Sequence, residues 1–293
     1  MKIRRLLTCF VVLAVTLMAV SAVAQPPITF KFVDVKVKGA LQTDSYAVNN
    51  AGVIAGDYID SSNVQHGLIL NKAVVTKFDG PSGSTLIAAY GINSSNAVVG
   101  WYANSSGVPT AFMYANGKLA AVAYPGAAST EANGINDNGW IVGTYVDTKG
   151  VQHGFYWDTK KYHPITLKGA FATTAWAINN KNVITVFATL SSGIPADAYL
   201  LSGAKLTKVD VPGATGNAIH GINSNGDLNY TIFDASNNRH GVLFHAGVYT
   251  QFDDPKGVNG TRADGINDTL VMVGRYTPPG TSTNAGFKAT TTP

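Results

Sequence analysis

Three carboxylate–imidazole pairs recur at one spacing in this chain. Asp60 stands six residues before His66, Asp147 before His153, and Asp234 before His240. Asn104 and Thr110 hold the same two places in a further copy. A carboxylate that orients an imidazole can serve proton transfer, and Asp with His can ligate a metal. Either use requires the groups to converge on one point. A pair that recurs with a repeat is distributed among separate units instead. There it ties a loop between neighbouring strands, and that structural reading is preferred.

A second set varies while its surroundings stay constant. Tyr46, Tyr90, Asn133, Trp176, His220 and Asp264 each stand three residues before a recurring Asn. Asp44, Ala88, Glu131, Thr174, Ala218 and Arg262 stand five before it. Alternation along a strand puts both groups on one face. The candidate ligand-binding residues are therefore Asp44, Tyr46, Glu131, Asn133, Trp176, His220, Arg262 and Asp264. Aromatic rings beside carboxylates and a guanidinium suit a sugar, a peptide or a small polar ligand. The competing reading is packing between repeat units, with ion pairs such as Arg262 to Glu131 or Asp44. Asp44 and Glu131 are also the first suspects for the paired carboxylates of glycoside hydrolysis. No nucleophile elbow, phosphate loop or zinc-spaced Cys/His cluster is present, so no catalytic residue, cofactor or metal is assigned.

The elements that position these residues follow from the recurring Asn itself. It falls at Asn49, Asn93, Asn136, Asn179, Asn223 and Asn267, at intervals of 44, 43, 43, 44 and 44 residues. Regular spacing over the whole chain marks a repeat architecture. Three residues after each Asn stand Gly52, Asn96, Gly139, Asn182, Gly226 and Leu270. Asn at the first place of a turn and a left-handed residue at the fourth specify a type I turn in a tight hairpin. The six Asn are thus structural turn residues. Leu270 breaks the pattern and predicts strain or a different turn. Gly stands seven residues after the Asn in four copies. Val186 and Tyr230 replace it in copies four and five, where different packing is expected.

Each unit of about 43 residues holds four strand-like runs, as in 131–145, 153–157 and 162–167. Four strands per repeat of that length specify an all-β, six-bladed β-propeller of four-stranded blades. Residues 28–36 read as a lone outer strand without a blade. The last copy, near Phe287, lacks its outer strand. The N-terminal strand should therefore pair into the last blade and close the ring, which also removes exposed strand edges. Thr290 to Pro293 read as a frayed tail. In such a ring the first strand of each unit is innermost, so the candidate residues would surround one mouth of the central channel.

Residues 1–24 read as a signal peptide. Lys2, Arg4 and Arg5 precede the apolar run Leu6 to Val20, and Ala22-Val23-Ala24 offers a cleavage site. Residues 25–293 then form a single six-repeat domain, exported to the exterior or the periplasm. The single cysteine, Cys9, lies in the leader, so the remainder needs no disulfide. Formal charge is +4 for the whole chain, and removing the leader leaves 18 basic residues against 17 acids. Such near-neutrality argues against nucleic acid as a partner. Membrane insertion is not expected after cleavage, and a closed ring reads as a monomer.

The elements PGA, GIN-x-x-G-x-x-VG-x-Y and HGF resemble the bacterial HAF-type extracellular repeat family. The best copy runs from Pro125-Gly126-Ala127 through Gly134-Ile135-Asn136, Gly143 and Tyr145 to His153-Gly154-Phe155. The resemblance spans the chain after the leader and implies a secreted repeat architecture rather than a reaction. It supplies no catalytic residues. The function expected is a secreted, non-catalytic binding or scaffold module for an extracellular glycan, peptide or protein. The rival is a secreted carbohydrate-active hydrolase or lyase with acidic residues at the channel mouth.

Overall fold

The computed structural model describes residues 28–190, 197–214, 216–258 and 260–292. The leader inferred over residues 1–24 lies outside the described residues. The described chain forms six four-stranded antiparallel sheets, the blades of a six-bladed β-propeller. Blades 1 to 5 each run in sequence order from an inner to an outer strand. Blade 6 takes its outer strand from the other end of the chain. No helix among the described residues is long and apolar enough to cross a membrane.

Closure occurs as the strand count requires. Thr29–Val35 pairs antiparallel with Ala285–Thr292, with Val35 opposite Gly286 and Thr29 opposite Thr292. The C-terminal residues Thr290, Thr291 and Thr292 are thus ladder residues rather than a frayed tail. The apolar edge of the N-terminal strand explains why. Phe30 and Phe32 pack on Phe252 of blade 5, with ring centroids 5.0 and 6.2 Å apart. This burial fixes the register to its end.

Each recurring Asn forms the expected turn. In the first copy, the Gly52 amide donates to the Asn49 carbonyl at 3.0 Å, and Gly52 has φ +78°. Leu270 adopts the same turn, with φ +58°, so the strain expected there is present. The Asn side chain does more than start the turn. Its Oδ1 accepts the amides two and four residues on, as at Asn179 from Lys181 (3.0 Å) and Val183 (2.9 Å). Its Nδ2 donates to the backbone carbonyl of the Asn in the next blade. The chain of donors runs Asn49, Asn93, Asn136, Asn179, Asn223, Asn267 and back to the Asn49 carbonyl. Six side chains therefore latch six blades into a closed cycle.

The inner strands approach one another closely. The position two before each Asn is Gly or Ala because the neighbouring strand passes there. A Cβ on Gly265 would stand 2.8 Å from the Tyr46 carbonyl oxygen and the Ala47 Cα. Larger side chains are pushed outward into the spaces between blades, where Phe112, Phe155 and Phe287 are fully buried.

Candidate functional site

The candidate residues are positioned by a β-bulge. In blades 1, 2, 3, 5 and 6 the pairing of the first two strands skips one residue: Tyr46, Tyr90, Asn133, His220 and Asp264. In blade 4 the skip covers Trp176 and Ala177. A bulged residue has no ladder partner and is re-aimed by the local twist, so this position turns toward the channel. The bulge also explains the Gly seven residues after the Asn. The displaced strand pushes its carbonyl inward, and a Cβ on Gly143 would stand 2.0 Å from the Glu131 oxygen. Of the two blades lacking this Gly, blade 4 has the wider irregularity. Blade 5 keeps the one-residue bulge and buries Tyr230 completely.

Tyr46, Tyr90, Asn133, His220 and Asp264 line a cavity of about 430 Å³ within the channel. Trp176 joins them by ring contacts, 5.6 Å from Tyr90 and 5.1 Å from His220. Tyr46 meets Tyr90 edge-on at 4.6 Å. Two residues earlier on their strands lie Asp44, Glu131 and Arg262. Asp44 is buried; Glu131 and Arg262 are half-buried. Arg262 does not reach Glu131 or Asp44, the pairings considered from sequence. Its Nε donates to Asp264 on its own strand at 2.9 Å, and its Nη2 lies 3.5 Å from His220 Nε2.

A third set of channel residues escaped the sequence reading. Each residue five before the Asn pairs across the ladder with the residue eight after it. The pairs are Asp44 with Asp57, Ala88 with Trp101, Glu131 with Thr144, Thr174 with Phe187, Ala218 with Thr231, and Arg262 with Arg275. The signal was available: this is the variable x in the G-x-Y frame. Arg275 is the hub of the site. Its guanidinium lies 3.7 Å from Asp44, 3.8 Å from Asp264, and 4.7 Å over the Tyr46 ring. It thereby joins blade 6 to blade 1 across the closure.

The electrostatics follow from burial. Burial, and then the charge of Asp44, push the Asp57 carboxyl well above the usual carboxylate range. Tyr46 and Gln65 stand near it, yet neither makes a well-directed hydrogen bond to its oxygens. Asp44 is raised by burial against the pull of Arg275, and Glu131 is raised by burial. Burial opposes charge on Arg275, but Asp264, Tyr46 and Asp44 outweigh it and hold the guanidinium protonated. Burial and then Arg262 lower His220 to about 3, so the imidazole is neutral at physiological pH. The cluster is thus buried, with Arg275 set between Asp44 and Asp264 and with the Asp57 carboxyl left without a hydrogen-bond partner. Around it Tyr90, Trp101, Glu131, Trp176 and Arg262 remain partly exposed.

The three Asp/His pairs are not brought together. Each closes the outer loop of its own blade. Asp60 Oδ1 accepts two loop amides, and its Oδ2 meets His66 Nε2 at 3.1 Å. Asp147 with His153 and Asp234 with His240 repeat the arrangement at 3.1 and 3.4 Å. Among the described residues, no group of three or more His, Cys, Asp or Glu has the geometry to hold a metal.

No family model matches the chain, and no curated protein matches it in sequence. Solved structures share the fold. Catalytically inactive virginiamycin B lyase from Staphylococcus aureus is 12% identical with a TM-score of 0.50, over 89% of this chain and 99% of that one. Aleuria aurantia lectin in complex with Fucalpha1-6GlcNAc is 10% identical with a TM-score of 0.53, over 87% and 96%. TolB from Acinetobacter baumannii is 9% identical with a TM-score of 0.53, over 86% and 67%. Identities this low establish the propeller alone.

Proposed function

We propose that the chain is an exported binding module that recognises a polar ligand at the channel mouth where the inner strands begin. The observation that carries this reading is the layered, non-repeating ring there. Partly exposed Trp101, Trp176 and Tyr90 stand with Glu131 and Arg262 around the buried Arg275–Asp44–Asp264 cluster. Aromatic faces and a few fixed charges are what a sugar or peptide needs for orientation. Asp264 holds the partly exposed Arg262 guanidinium at 2.9 Å, which lowers the entropic cost of binding. The basic, apolar leader and the HAF-type repeat elements support export. A propeller of similar fold, the Aleuria aurantia lectin, is found with a fucosylated sugar.

One observation favours catalysis instead: Asp57 keeps its proton well above the usual range, as a general acid must. Asp57 is, however, fully buried within the cluster. A ligand resting on Trp176 and Arg262 would not touch it, so recognition is the reading adopted.

The test is a glycan and peptide array on the chain from Gln25, beside Trp176→Ala and Glu131→Gln, each checked for an unchanged melting transition. Binding lost in either variant supports the mouth as the recognition site. Binding retained in both overturns it and moves the site elsewhere on the ring. Any bound sugar or peptide should be recovered intact; its cleavage would favour the hydrolase or lyase reading.

A further inference from the structure

The three Asp/His loops share one spacing but do not hold the imidazole alike. In blade 1, His66 is held from both sides: Nε2 by Asp60 at 3.1 Å and Nδ1 by Asp79 at 2.5 Å. In blade 5, His240 is held the same way, by Asp234 at 3.4 Å and by Asp253 at 2.9 Å. The second carboxylate always comes from the residue after the outer-strand residue paired with the Gly that follows the His. Those ladder pairs are Gly67 with Phe78 and Gly241 with Phe252. In blade 3 the equivalent pair is Gly154 with Ile165, and the residue that follows is Thr166. His153 keeps Asp147 on Nε2. Its Nδ1 has no hydrogen-bond partner among the described residues.

The same place holds a cleft between blades 3 and 4, with about 360 Å³ of empty space. His153 and Thr166 line its polar side. Gln152 and Thr173 add further polar groups, Val151, Ile165, Leu167 and Ala170 supply apolar lining, and Phe171 stands at the edge, 66% exposed. The charge around it also differs from the sister loops. Exposed Lys149 occupies the turn that begins at Asp147, where blades 1 and 5 carry Ser62 and Ser236. Exposed Lys168 follows Leu167. An acid has been withdrawn and two cations stand nearby.

We infer that this cleft is a second binding site, apart from the channel mouth, for a small ligand bearing a carboxylate on an apolar body. The ligand carboxylate takes the place that Asp79 and Asp253 take in the sister blades and accepts from His153 Nδ1. The imidazole then donates from both nitrogens, to Asp147 and to the ligand. The apolar body covers Phe171 and Leu167, and the lysines add long-range attraction. A charge-assisted hydrogen bond of this kind discriminates strongly against a neutral isostere, because the amide offers only a neutral acceptor.

The experiment uses phenylacetate and phenylacetamide as probes, read by nitrogen-15 NMR of the histidine side chains. A saturable shift at His153, with His66 and His240 unmoved, is expected for phenylacetate. Phenylacetamide should bind roughly tenfold more weakly, the loss of about 1.4 kcal/mol. Thr166→Asp rebuilds the sister-blade arrangement and should abolish the phenylacetate response. Three results overturn the inference: no saturable shift at His153, equal binding of acid and amide, or a Thr166→Asp protein that folds and responds like the wild type. The contrast between acid and amide decides the matter on the wild-type chain even if the variant fails to fold.

Discussion

The cyclic latch of six Asn side chains can be separated from their turn-forming role by one substitution. Asp begins a type I turn as well as Asn does, so Asn179→Asp keeps the acceptor and removes the donor. Asn179 Nδ2 now donates to the Asn223 carbonyl at 2.9 Å, and both residues are buried, 5% and 3% exposed. Losing a hydrogen bond costs about 1 kcal/mol net, and the Asn223 carbonyl keeps the Gly226 amide at 3.2 Å, so no buried acceptor is orphaned. A loss of about 1 kcal/mol at pH 7 follows, with the burial of a new carboxylate adding to it. The sign of its pH dependence is also determined. The introduced carboxyl is buried against a carbonyl oxygen, so its folded-state pKa lies above the unfolded value of about 3.9. The folded state then binds more protons than the unfolded one, and stability falls as pH rises through that window. Protonated, the carboxyl donates to Asn223 as the amide did, so the variant should recover toward pH 4. Urea denaturation of both proteins at pH 4 and pH 7 measures this. A loss under about 0.5 kcal/mol at pH 7 would refute the latch and leave the Asn as a turn former only.

Two glycine substitutions should differ in size for a physical reason. Gly52→Ala meets no atom within 4 Å and suffers only its φ of +78°, a cost of about 1 kcal/mol. Gly143→Ala places a methyl 2.0 Å from the Glu131 oxygen and should cost several times more by thermal melting; equal losses would dismiss the bulge as its cause. Asp57→Asn removes a carboxyl whose folded pKa is raised, so the wild type loses stability as pH climbs above 3.8, by up to about 1.4 kcal/mol per unit. The variant should therefore gain on the wild type with rising pH in chemical denaturation, and a variant less stable than the wild type at pH 8 would contradict the assignment. His220, lowered to about 3, acts with the opposite sign: its contribution is present above pH 6.5 and is lost as pH falls toward 3, a slope that His220→Asn should remove. A chain beginning at Lys38 lacks the strand that closes blade 6 and exposes the edge of Ala285–Thr292; light scattering should show oligomers, whereas a monomer with an unchanged melting transition would mean that closure is dispensable.

What could be read from the sequence was whatever repeats. The six-fold period and the closing strand follow from counting 43–44-residue intervals, while Leu270 stood out only as a departure, either strain or a different turn. The latch was hidden because its donors and acceptors are the same residues that make the turn, so it adds no pattern of its own. The bulge was hidden because strict alternation was assumed through a strand that skips one residue. Arg275 and Asp57 carry no repeating signal of their own, because each is the variable residue between a recurring Gly and Tyr. Arg275 meets Asp44 only across the junction of the last blade with the first, a contact that no local spacing announces.

Symmetry separates the structural positions from those proposed to bind a ligand. Just past the recurring Asn stand Asn50, Ser94, Asp137, Asn180, Ser224 and Asp268, one three-residue order used twice. Each half makes the same bonds: the Ser94 amide to Asp137 and the Asp137 amide to Asn180, then the Ser224 amide to Asp268 and the Asp268 amide to Asn50. The lower mouth is therefore two-fold. The outer loops with Asp60, Asp147 and Asp234 are three-fold. Bonds that serve the ring recur because each blade presents the same backbone to its neighbour. The upper channel obeys neither order. Its three layers place aromatic rings in blades 1, 2 and 4, carboxylates in blades 1, 3 and 6, a neutral imidazole in blade 5 and two guanidinium groups in blade 6. A ring under structural constraint alone would repeat there as it does elsewhere. Its departure from symmetry, around the buried Arg275 cluster, is what recognition of an asymmetric ligand requires.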